Sequence, residues 1–277
     1  MLKQLVKFAF LAILAAAPAS AADVTWPAEV AARYKLYFNG FDVGGYEFRS
    51  TFNGKTYDAK SRAEVSALFG AFTWKGDLHS AGTADGTRPR PAGYVMTFQS
   101  KSKQGSITLG FDKGAVASVA VVPPKKPNPE AVPLTAADYK GVLDPMAAIL
   151  AISRAGASNA CDKRIPIFDG KARFDLVMSY KGEQRVADPK PTGQPNTLIV
   201  CRVKYTPIAG HKPKDFENPW VDYNRMEITL RPVPSANIFV PYRVTIPTTL
   251  GSAVMMADSV NITTAGQAQI ALKQPAE

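Results

Sequence analysis

Hydrophobic and polar residues alternate with a period of two along much of the chain. Between residues 34 and 111 the apolar positions fall on one side of several short runs, and Asn53-Gly54 between two of these runs favours a hairpin turn. Such alternation is typical of antiparallel strands that pack on one face and meet solvent on the other. The apolar faces predicted in this part are formed by Tyr34, Leu36, Phe38, Tyr46, Phe48, Phe52, Tyr57, Ala59, Ala63, Val65, Phe72, Trp74, Leu78, Tyr94, Met96, Phe98, Ile107, Leu109 and Phe111.

The same period returns beyond residue 170. The segments GSAVMMADSVNIT and GQAQIALK near the C-terminus are predicted as further short strands, which brings the total to about a dozen. Pro241 falls on the polar side of its strand and indicates either an edge strand or a bulge. The apolar positions in this part are Phe174, Leu176, Met178, Tyr180, Ile199, Cys201, Val203, Tyr205, Met226, Ile228, Leu230, Ile238, Val240, Tyr242, Val244 and Ile246.

One helix interrupts the strand pattern, in the sequence VLDPMAAILAISRAG. Asp144 is suited to cap its first turn and Pro145 to occupy the first helical position, and Gly156 is expected to end it. Met146, Ile149 and Leu150 form an apolar stripe, which indicates a packing face.

A proline-rich stretch precedes the helix. Residues 123–137 hold five prolines, and proline lacks the amide donor that a central strand needs. We therefore predict an N-terminal antiparallel β lobe over 22–122, a connector over 123–137, and a helix plus a C-terminal antiparallel β lobe over 138–277, joined into one continuous domain. A sheet of this size tends to curl. The predicted fold is mainly β: an antiparallel sheet curled into an open barrel or β-spiral, with one central α-helix.

The first 21 residues have the three-part plan of a secretory signal peptide. Lys3 and Lys7 precede an apolar run from Phe8 to Ala17, and small residues lead to a cleavage site expected after Ala21. The apolar run is too short to cross a bilayer, which takes about twenty residues. We expect cleavage, export to the periplasm, and a mature chain that does not span a membrane.

The chain has two cysteines, Cys161 and Cys201. Because an exported protein meets an oxidising compartment, a structural disulfide between them is the favoured interpretation. A zinc site would need further ligands at metal-binding spacing, and a redox pair would normally be a close CxxC motif. A closed loop of forty residues would stabilise the fold by roughly 4 kcal/mol.

The chain is basic. Its formal net charge of +10 falls to +8 once the two leader lysines are removed. Such a charge favours an anionic envelope surface, or serves solubility alone, and both alternatives stay open because the lysines and arginines are scattered. Nucleic acid is not expected as a partner of an exported protein.

The sequence offers little sign of enzyme chemistry: SKSK at 100–103 formally fits S-x-x-K, but it lies in a strand turn and is interpreted as chance. The sequence contains no G-x-S-x-G elbow, no Walker loop, no dinucleotide fingerprint and no HExxH, so we predict no catalytic residue, no cofactor and no metal. The two histidines, His79 and His211, lack metal-ligand spacing and are expected at the surface. Trp26, Trp74 and Trp220 are candidates for an aromatic platform, with Trp74 expected in the core and Trp220 at a rim.

Several strings resemble an exported proteobacterial family, domain of unknown function 3108. They are YKLYFNGFDVGGYEF, ALFGAFTWKGDLHSAG, VLDPMAAILAI, CDKRIPIFDGKARFDL and VCRVKYTPIAG, and the resemblance runs from about residue 30 to 265. It implies a periplasmic β-rich protein whose paired cysteines are Cys161 and Cys201, and it brings no assigned reaction. The architecture is more loosely similar to periplasmic β-spiral envelope-integrity proteins and to half-barrel lipoprotein carriers, which hold acyl chains on a concave apolar face.

Three functions remain as hypotheses. The first is a non-enzymatic binding module for a lipid acyl chain or an apolar peptide that supports cell-envelope integrity. The second is a structural protein that docks on another envelope component through an edge strand. The third is a glycan or peptidoglycan hydrolase that uses carboxylates such as Asp169 or Asp222. The residues predicted to line the site of the binding module are Phe48, Phe72, Trp74, Met96, Phe98, Met226 and Ile228.

Overall fold

A computed structural model describes residues 26–67, 70–86, 88–124, 128–154, 160–186, 192–216, 220–266 and 268–273. The predicted leader with its cleavage site, and Gly156 as the predicted helix end, lie outside these ranges. None of the helices in these ranges has the length and apolar character that crossing a membrane requires.

Fourteen strands and one α-helix make up the described fold. The helix, α1, spans Pro145–Ser153. The strands are β1 Glu29–Phe38, β2 Phe41–Asn53, β3 Thr56–Ala67, β4 Phe72–Asp85, β5 Arg88–Ser100, β6 Gln104–Asp112, β7 Ala115–Val122, β8 Lys163–Phe168, β9 Arg173–Arg185, β10 Thr197–Ala209, β11 Met226–Val233, β12 Ile238–Thr248, β13 Gly251–Thr263 and β14 Ile270–Lys273.

All strands belong to one antiparallel sheet. Its order is β7-β6-β5-β4-β3-β2-β1-β13-β12-β11-β10-β9-β8, with β14 added to β13. The pairing of β1 with β13 joins the first half of the sheet, β1 to β7, to the second half, β8 to β13. The sheet is open, with β7 and β8 at its edges. The predicted mainly β, antiparallel fold with one helix is therefore confirmed.

The sheet curls around the helix. α1 packs against β3, β4 and β5 of the first half and against β8 and β12 of the second. Residues just before the helix contact both sheet edges. Val116 N of β7 donates to Tyr139 O, and Phe168 N of β8 donates to Leu143 O, each at an N···O distance of 2.9 Å. The segment from Tyr139 to Leu143 thus links the two edges and leads the chain into the concave interior.

The start of α1 is fixed by the predicted cap. Asp144 Oδ1 accepts hydrogen bonds from Met146 N at 2.8 Å and Ala147 N at 2.9 Å, and Pro145 takes the first helical position. These bonds satisfy amides that lack a partner within the helix. The carboxylate itself is fully buried, because Asp144 lies between the helix and the first half of the sheet.

Cys161 and Cys201 form the predicted disulfide. Their Cα atoms are 5.3 Å apart and both residues are completely buried. The bridge ties the segment after the helix to β10. It lies in a cluster of buried side chains that includes Ala147 of α1, Ile165 of β8 and Leu230 of β11.

Pro241 marks a bulge in β12. This strand lies between β11 and β13, but its ladder with β13 covers only Arg243 to Thr248, so at Pro241 the strand pairs with β11 alone and is locally an edge. The pairing of β11 with β12 shifts register between Thr229, which faces Arg243, and Leu230, which faces Pro241. The extra residue accommodates a proline that cannot donate to the ladder, which confirms the bulge alternative.

Candidate functional site

An elongated apolar cavity lies between α1 and the concave face of the sheet. It has a volume of about 420 Å³ and is open to solvent on one side. Its walls come from the centre of the sheet, where β1 and β2 meet β13 and β12, and from β9, β10 and β11. Along β2 it runs from Tyr46 to Phe52, a distance of about 20 Å at the usual strand rise.

One end of the cavity is closed by aromatic side chains near the start of the described chain. The ring of Trp26 stacks on Phe52 with centroids 4.6 Å apart, and Trp26 Nε1 donates to Gly86 O at 3.0 Å. The guanidinium of the buried Arg154, just after α1, lies 4.6 Å from the Trp26 ring centroid. The aromatic wall is therefore held by stacking on both faces of the indole.

The opposite end has a second aromatic group. Phe174 of β9 stacks on Tyr205 of β10 at 4.5 Å, and both side chains line the cavity. Tyr205 also contacts Tyr223 at 5.0 Å and Phe216 at 5.8 Å, so the wall continues into the segment before β11.

The lining offers few polar groups. Among the described residues that line it, Glu227 is the one with a charge, and its carboxylate pairs with Lys181. The hydroxyls of Tyr34 and Tyr46 are buried, which raises the pKa of both and takes that of Tyr46 to about 12. Both phenols stay neutral at ordinary pH. Since the Glu227 carboxylate is already paired with Lys181, the cavity suits a hydrocarbon chain better than a buried ionic group.

The seven side chains predicted to bind a ligand separate into two groups. Phe48, Met226 and Ile228 line the cavity, together with residues of α1 such as Ile149 and Leu150. The other four belong to β4 and β5 and do not line it: Phe72, Trp74, Met96 and Phe98.

Each of those four has its own surroundings. Phe72 is half exposed, and the ring of Trp74 lies over Gly76, where it would collide with a Cβ. Met96 packs against the main hydrophobic core. The Phe98 ring faces the ammonium of Lys171, whose Nζ lies 5.7 Å from the ring centroid.

The candidate carboxylates of the hydrolase hypothesis stabilise turns. Asp169 Oδ1 accepts from Lys171 N at 2.8 Å and Ala172 N at 2.7 Å, which builds the turn between β8 and β9. Asp222 Oδ2 accepts from Arg225 Nε at 2.5 Å, and this hydrogen bond holds the pKa of the Asp222 carboxyl below its usual range. A glycosidase acid needs a raised pKa, so this geometry does not favour Asp222 in that role.

The histidines have structural contacts. His79 Nε2 lies 2.6 Å from Asp58 Oδ2, and both side chains are partly exposed. His211 packs edge-on against Phe216 at 5.0 Å, and its carbonyl accepts a hydrogen bond from Val132 N. In the described ranges no three His, Cys, Asp or Glu side chains come together as a metal site.

Several residues that contribute to the site were not predicted as site residues from the sequence. Tyr34, Val30 and Ala32 of β1 lie in the cavity wall because β1 pairs with β13, two hundred residues away in the chain. The buried charge of Arg154 beside the wall was also missed. Its position directly after the helix is visible in the sequence, but its stacking partner Trp26 is not.

Comparison with known proteins identifies a family and nothing more specific. The model of a protein family described as "Protein of unknown function (DUF3108)" matches residues 33–258. No curated protein and no solved structure is significantly similar to the chain. Because the family match spans well over half of the 277 residues, the chain belongs to the DUF3108 family, as its sequence strings predicted.

Proposed function

We propose that this protein binds the acyl chain of an envelope lipid in the apolar cavity, without catalysing a reaction. The observation that carries the proposal is the cavity itself: about 420 Å³, elongated, and lined almost entirely by apolar side chains. Its size falls within the usual range of ligand sites, roughly 300–1,000 Å³. A hydrocarbon chain would fill it by burying apolar surface on both partners.

An empty cavity of this size is energetically costly. Because the cavity is open to solvent, its apolar walls are wetted when no ligand is bound, and each Å² of wetted apolar surface forgoes about 25 cal/mol of burial free energy. A bound acyl chain covers those walls and removes this cost.

The wall chemistry favours an acyl chain over an apolar peptide. A buried peptide brings an amide N–H and C=O at every residue, and each needs a hydrogen-bond partner. The strands behind the lining pair with each other through their own backbones, as β1 does with β2 and β13. They leave little backbone to serve a guest, whereas an acyl chain makes no such demand.

An envelope location is part of the proposal. The buried disulfide is compatible with an oxidising compartment, and the N-terminal leader pattern predicts export to the periplasm. We further propose that such lipid binding supports the integrity of the cell envelope.

The experiment is native mass spectrometry of the exported protein, purified from cells and again after extraction with organic solvent. We expect the first sample to carry a mass adduct and the second to regain one, with a higher Tm, when palmitate is added. Ala32→Phe places a ring into the cavity from β1 and should reduce palmitate binding at least tenfold.

Two further variants keep this test decisive. Val244→Phe fills the cavity from β12, in case Ala32→Phe folds poorly. Val95→Phe adds the same ring on an exposed position of β5 and should leave binding unchanged. The proposal is wrong if the wild-type protein acquires no adduct and no thermal shift, or if all three variants bind palmitate alike.

A second candidate function, docking on another envelope protein, is favoured by β7. This edge strand is exposed on both faces from Ala117 to Ala120, and no strand in the described ranges pairs with its outer side. Its sequence AVASVAVV contains no charge and no proline, the two devices that usually protect an edge. An extended segment of a partner could add a strand there.

A further inference from the structure

Four of the most exposed large hydrophobic side chains occupy turns or strand starts. Phe41 begins β2 and is 76% exposed, and Leu250 lies between β12 and β13 and is 66% exposed. Trp220, ahead of β11, is 58% exposed, and Phe72, the first residue of β4, is 50% exposed. Exposed apolar residues of this size carry meaning when they cluster, since single ones are common on any surface.

Hydrogen bonds hold three of these turns together. Asn39 Nδ2, next to the β1–β2 turn, donates to Leu250 O at 2.7 Å, and Ser252 N donates to Asn39 Oδ1 at 2.9 Å. Thr249 N donates to Trp220 O at 3.0 Å. Phe41, Trp220 and Leu250 are therefore neighbours. We call this group, with Phe72, the apolar end.

Phe72 belongs to the same end of the sheet. β3 pairs with β2 so that Val65 faces Gly44, three residues after Phe41. Phe72 faces Ala67 across the next hairpin, two residues beyond Val65. The four side chains thus lie at the same end of the sheet. None of them lines the apolar cavity.

Two lysines without an ion-pair partner in the described part of the chain lie beside the apolar end. Lys101 and Lys103 are in the turn between β5 and β6, and Ser100 at the start of that turn faces Trp74, two residues into β4. Of the acids nearby, Asp222 pairs with Arg225, whereas Asp42, next to Phe41, accepts a hydrogen bond from Gly44 N and keeps its negative charge. The two lysines outnumber that single acid. The charge beside the apolar end complements an anionic surface.

The apolar end also lies close to one part of the cavity lining. Ile246 lines the cavity, and Asp222 N donates to Pro247 O at 2.8 Å directly after it. Leu250 follows four residues later, within about 13 Å of Ile246 at the strand rise. A surface that received the apolar end would therefore lie close to this part of the cavity.

We propose that the apolar end inserts shallowly into the surface of an anionic lipid bilayer. Trp, Phe and Leu side chains gain free energy by leaving water for the boundary between headgroups and acyl chains. Each lysine near an anionic surface adds about 1 kcal/mol. The interaction needs no ligand in the cavity, so it goes beyond the proposed function and can hold or fail independently of it.

The test is sedimentation with vesicles, using protein from the exported fraction so that every variant has the same processed N-terminus. Vesicles contain phosphatidylcholine alone or a three-to-one mixture with phosphatidylglycerol. We expect the wild type to bind the mixed vesicles, and Phe41→Ser/Trp220→Ser/Leu250→Ser to bind them about 100-fold more weakly. The matched control, Val95→Ser/Val119→Ser/Tyr180→Ser, removes three exposed side chains elsewhere and should change binding less than twofold.

Charge reversal and fluorescence supply measurements that do not depend on the triple variant folding. Lys101→Glu/Lys103→Glu should weaken binding to mixed vesicles about tenfold, whereas Lys113→Glu/Lys140→Glu, outside the apolar end, should have a smaller effect. Trp220 emission should shift to shorter wavelength on binding, and Trp220→Phe should remove that shift.

Three results would overturn the proposal. Absence of wild-type binding to mixed vesicles is the first, and equal binding by the triple variant and its control is the second. The third is a wild-type oligomer that dissociates in the triple variant without vesicle binding by either protein, since the apolar end would then be covered by a second copy of the chain.

Discussion

The two ends of α1 are anchored by different chemistry, and each anchor belongs to a different half of the sheet. At the N-terminal end Ser80 of β4 donates to Asp144 Oδ2 at 2.8 Å, and the Tyr57 hydroxyl of β3 lies 3.2 Å from Ser80 Oγ. At the C-terminal end the ammonium of Lys163, at the start of β8, donates to three carbonyls: Ala151 O, Ile152 O and Arg154 O, at 3.1, 2.7 and 2.9 Å.

The anchors differ in what can release them. Burial raises the pKa of the Asp144 carboxyl to about 6, in spite of its hydrogen bonds from Ala147, Ser80 and Met146, so the first anchor depends on pH. The second lies beside the covalent Cys161–Cys201 bridge and depends on redox state. The helix is thus joined to the first half of the sheet by a contact that depends on the protonation of Asp144, and to the second half beside the Cys161–Cys201 disulfide.

Loss of the disulfide is the largest expected effect. The bridge closes a loop of forty residues, and Cys161→Ser/Cys201→Ser should lower the free energy of unfolding by about 4 kcal/mol. Urea denaturation of the oxidised wild type and the double variant measures the difference. Dithiothreitol should destabilise the wild type by a similar amount and leave the variant unchanged. A loss below 1 kcal/mol would show that packing alone holds the second half.

Removal of the Asp144 carboxylate should lower the free energy of unfolding by less than loss of the disulfide does. Asp144→Ala deletes the helix cap and the partner of Ser80, for an expected loss of about 2–3 kcal/mol in urea denaturation. Asp144→Asn keeps an oxygen for the cap and should lose about half of that. Equal stability of Asp144→Ala and wild type at pH 7 would contradict the anchoring role.

The same residue predicts a pH dependence. Since the folded-state pKa of Asp144 is about 6 and the ordinary pKa of an aspartate is 3.8, the folded state binds the proton more tightly. Its contribution is fully present below pH 4 and is lost as the pH rises through 6, a change of about 3 kcal/mol. Asp144→Asn cannot titrate, so the stability difference between the two proteins should shift against the wild type from pH 4 to pH 7. A constant difference across that range would rule this out.

The helix cap by Asp144 was predictable from the sequence, but its contacts with the sheet were not. Asp144-Pro145 is a local signal, since a cap acts on the amides of the next turn. Ser80 and Tyr57 lie on strands whose position over the helix depends on how the sheet curls. The disulfide was predictable for a different reason, because a chain with two cysteines allows a single pairing.

The strands that escaped prediction are the two sheet edges. Residues 117–120 of β7 are exposed on both faces, so nothing imposes alternation on the run AVASVAVV. β8 is short and contains Pro166, which an edge tolerates. The cavity was not predicted either, because its walls are brought together by the pairing of β1 with β13, two segments that are far apart in the chain. Alternation identified the apolar face of β5 and part of that of β4, where Phe72 is half exposed, but it does not say which part of a curled face stays unfilled.

The smallest expected effect on stability concerns the edge strand β7, which is less well covered than the edge strand β8. Leu143 forms a parallel bridge to Ile167 of β8, whereas the contact at β7 reaches only Ala115 and Val116. Val119 is 42% exposed, so Val119→Lys should change the free energy of unfolding by no more than about 0.5 kcal/mol in urea denaturation. Val121→Lys, on a neighbouring position that packs against the core, should cost more than about 1 kcal/mol.

The same pair of variants probes the docking role of β7. A lysine on an exposed edge disfavours the addition of a further strand. Light scattering at raised temperature should therefore show slower association for Val119→Lys than for wild type, although the two unfold alike. If Val119→Lys proves as destabilising as Val121→Lys, β7 is covered by another part of the chain and is not available to a partner.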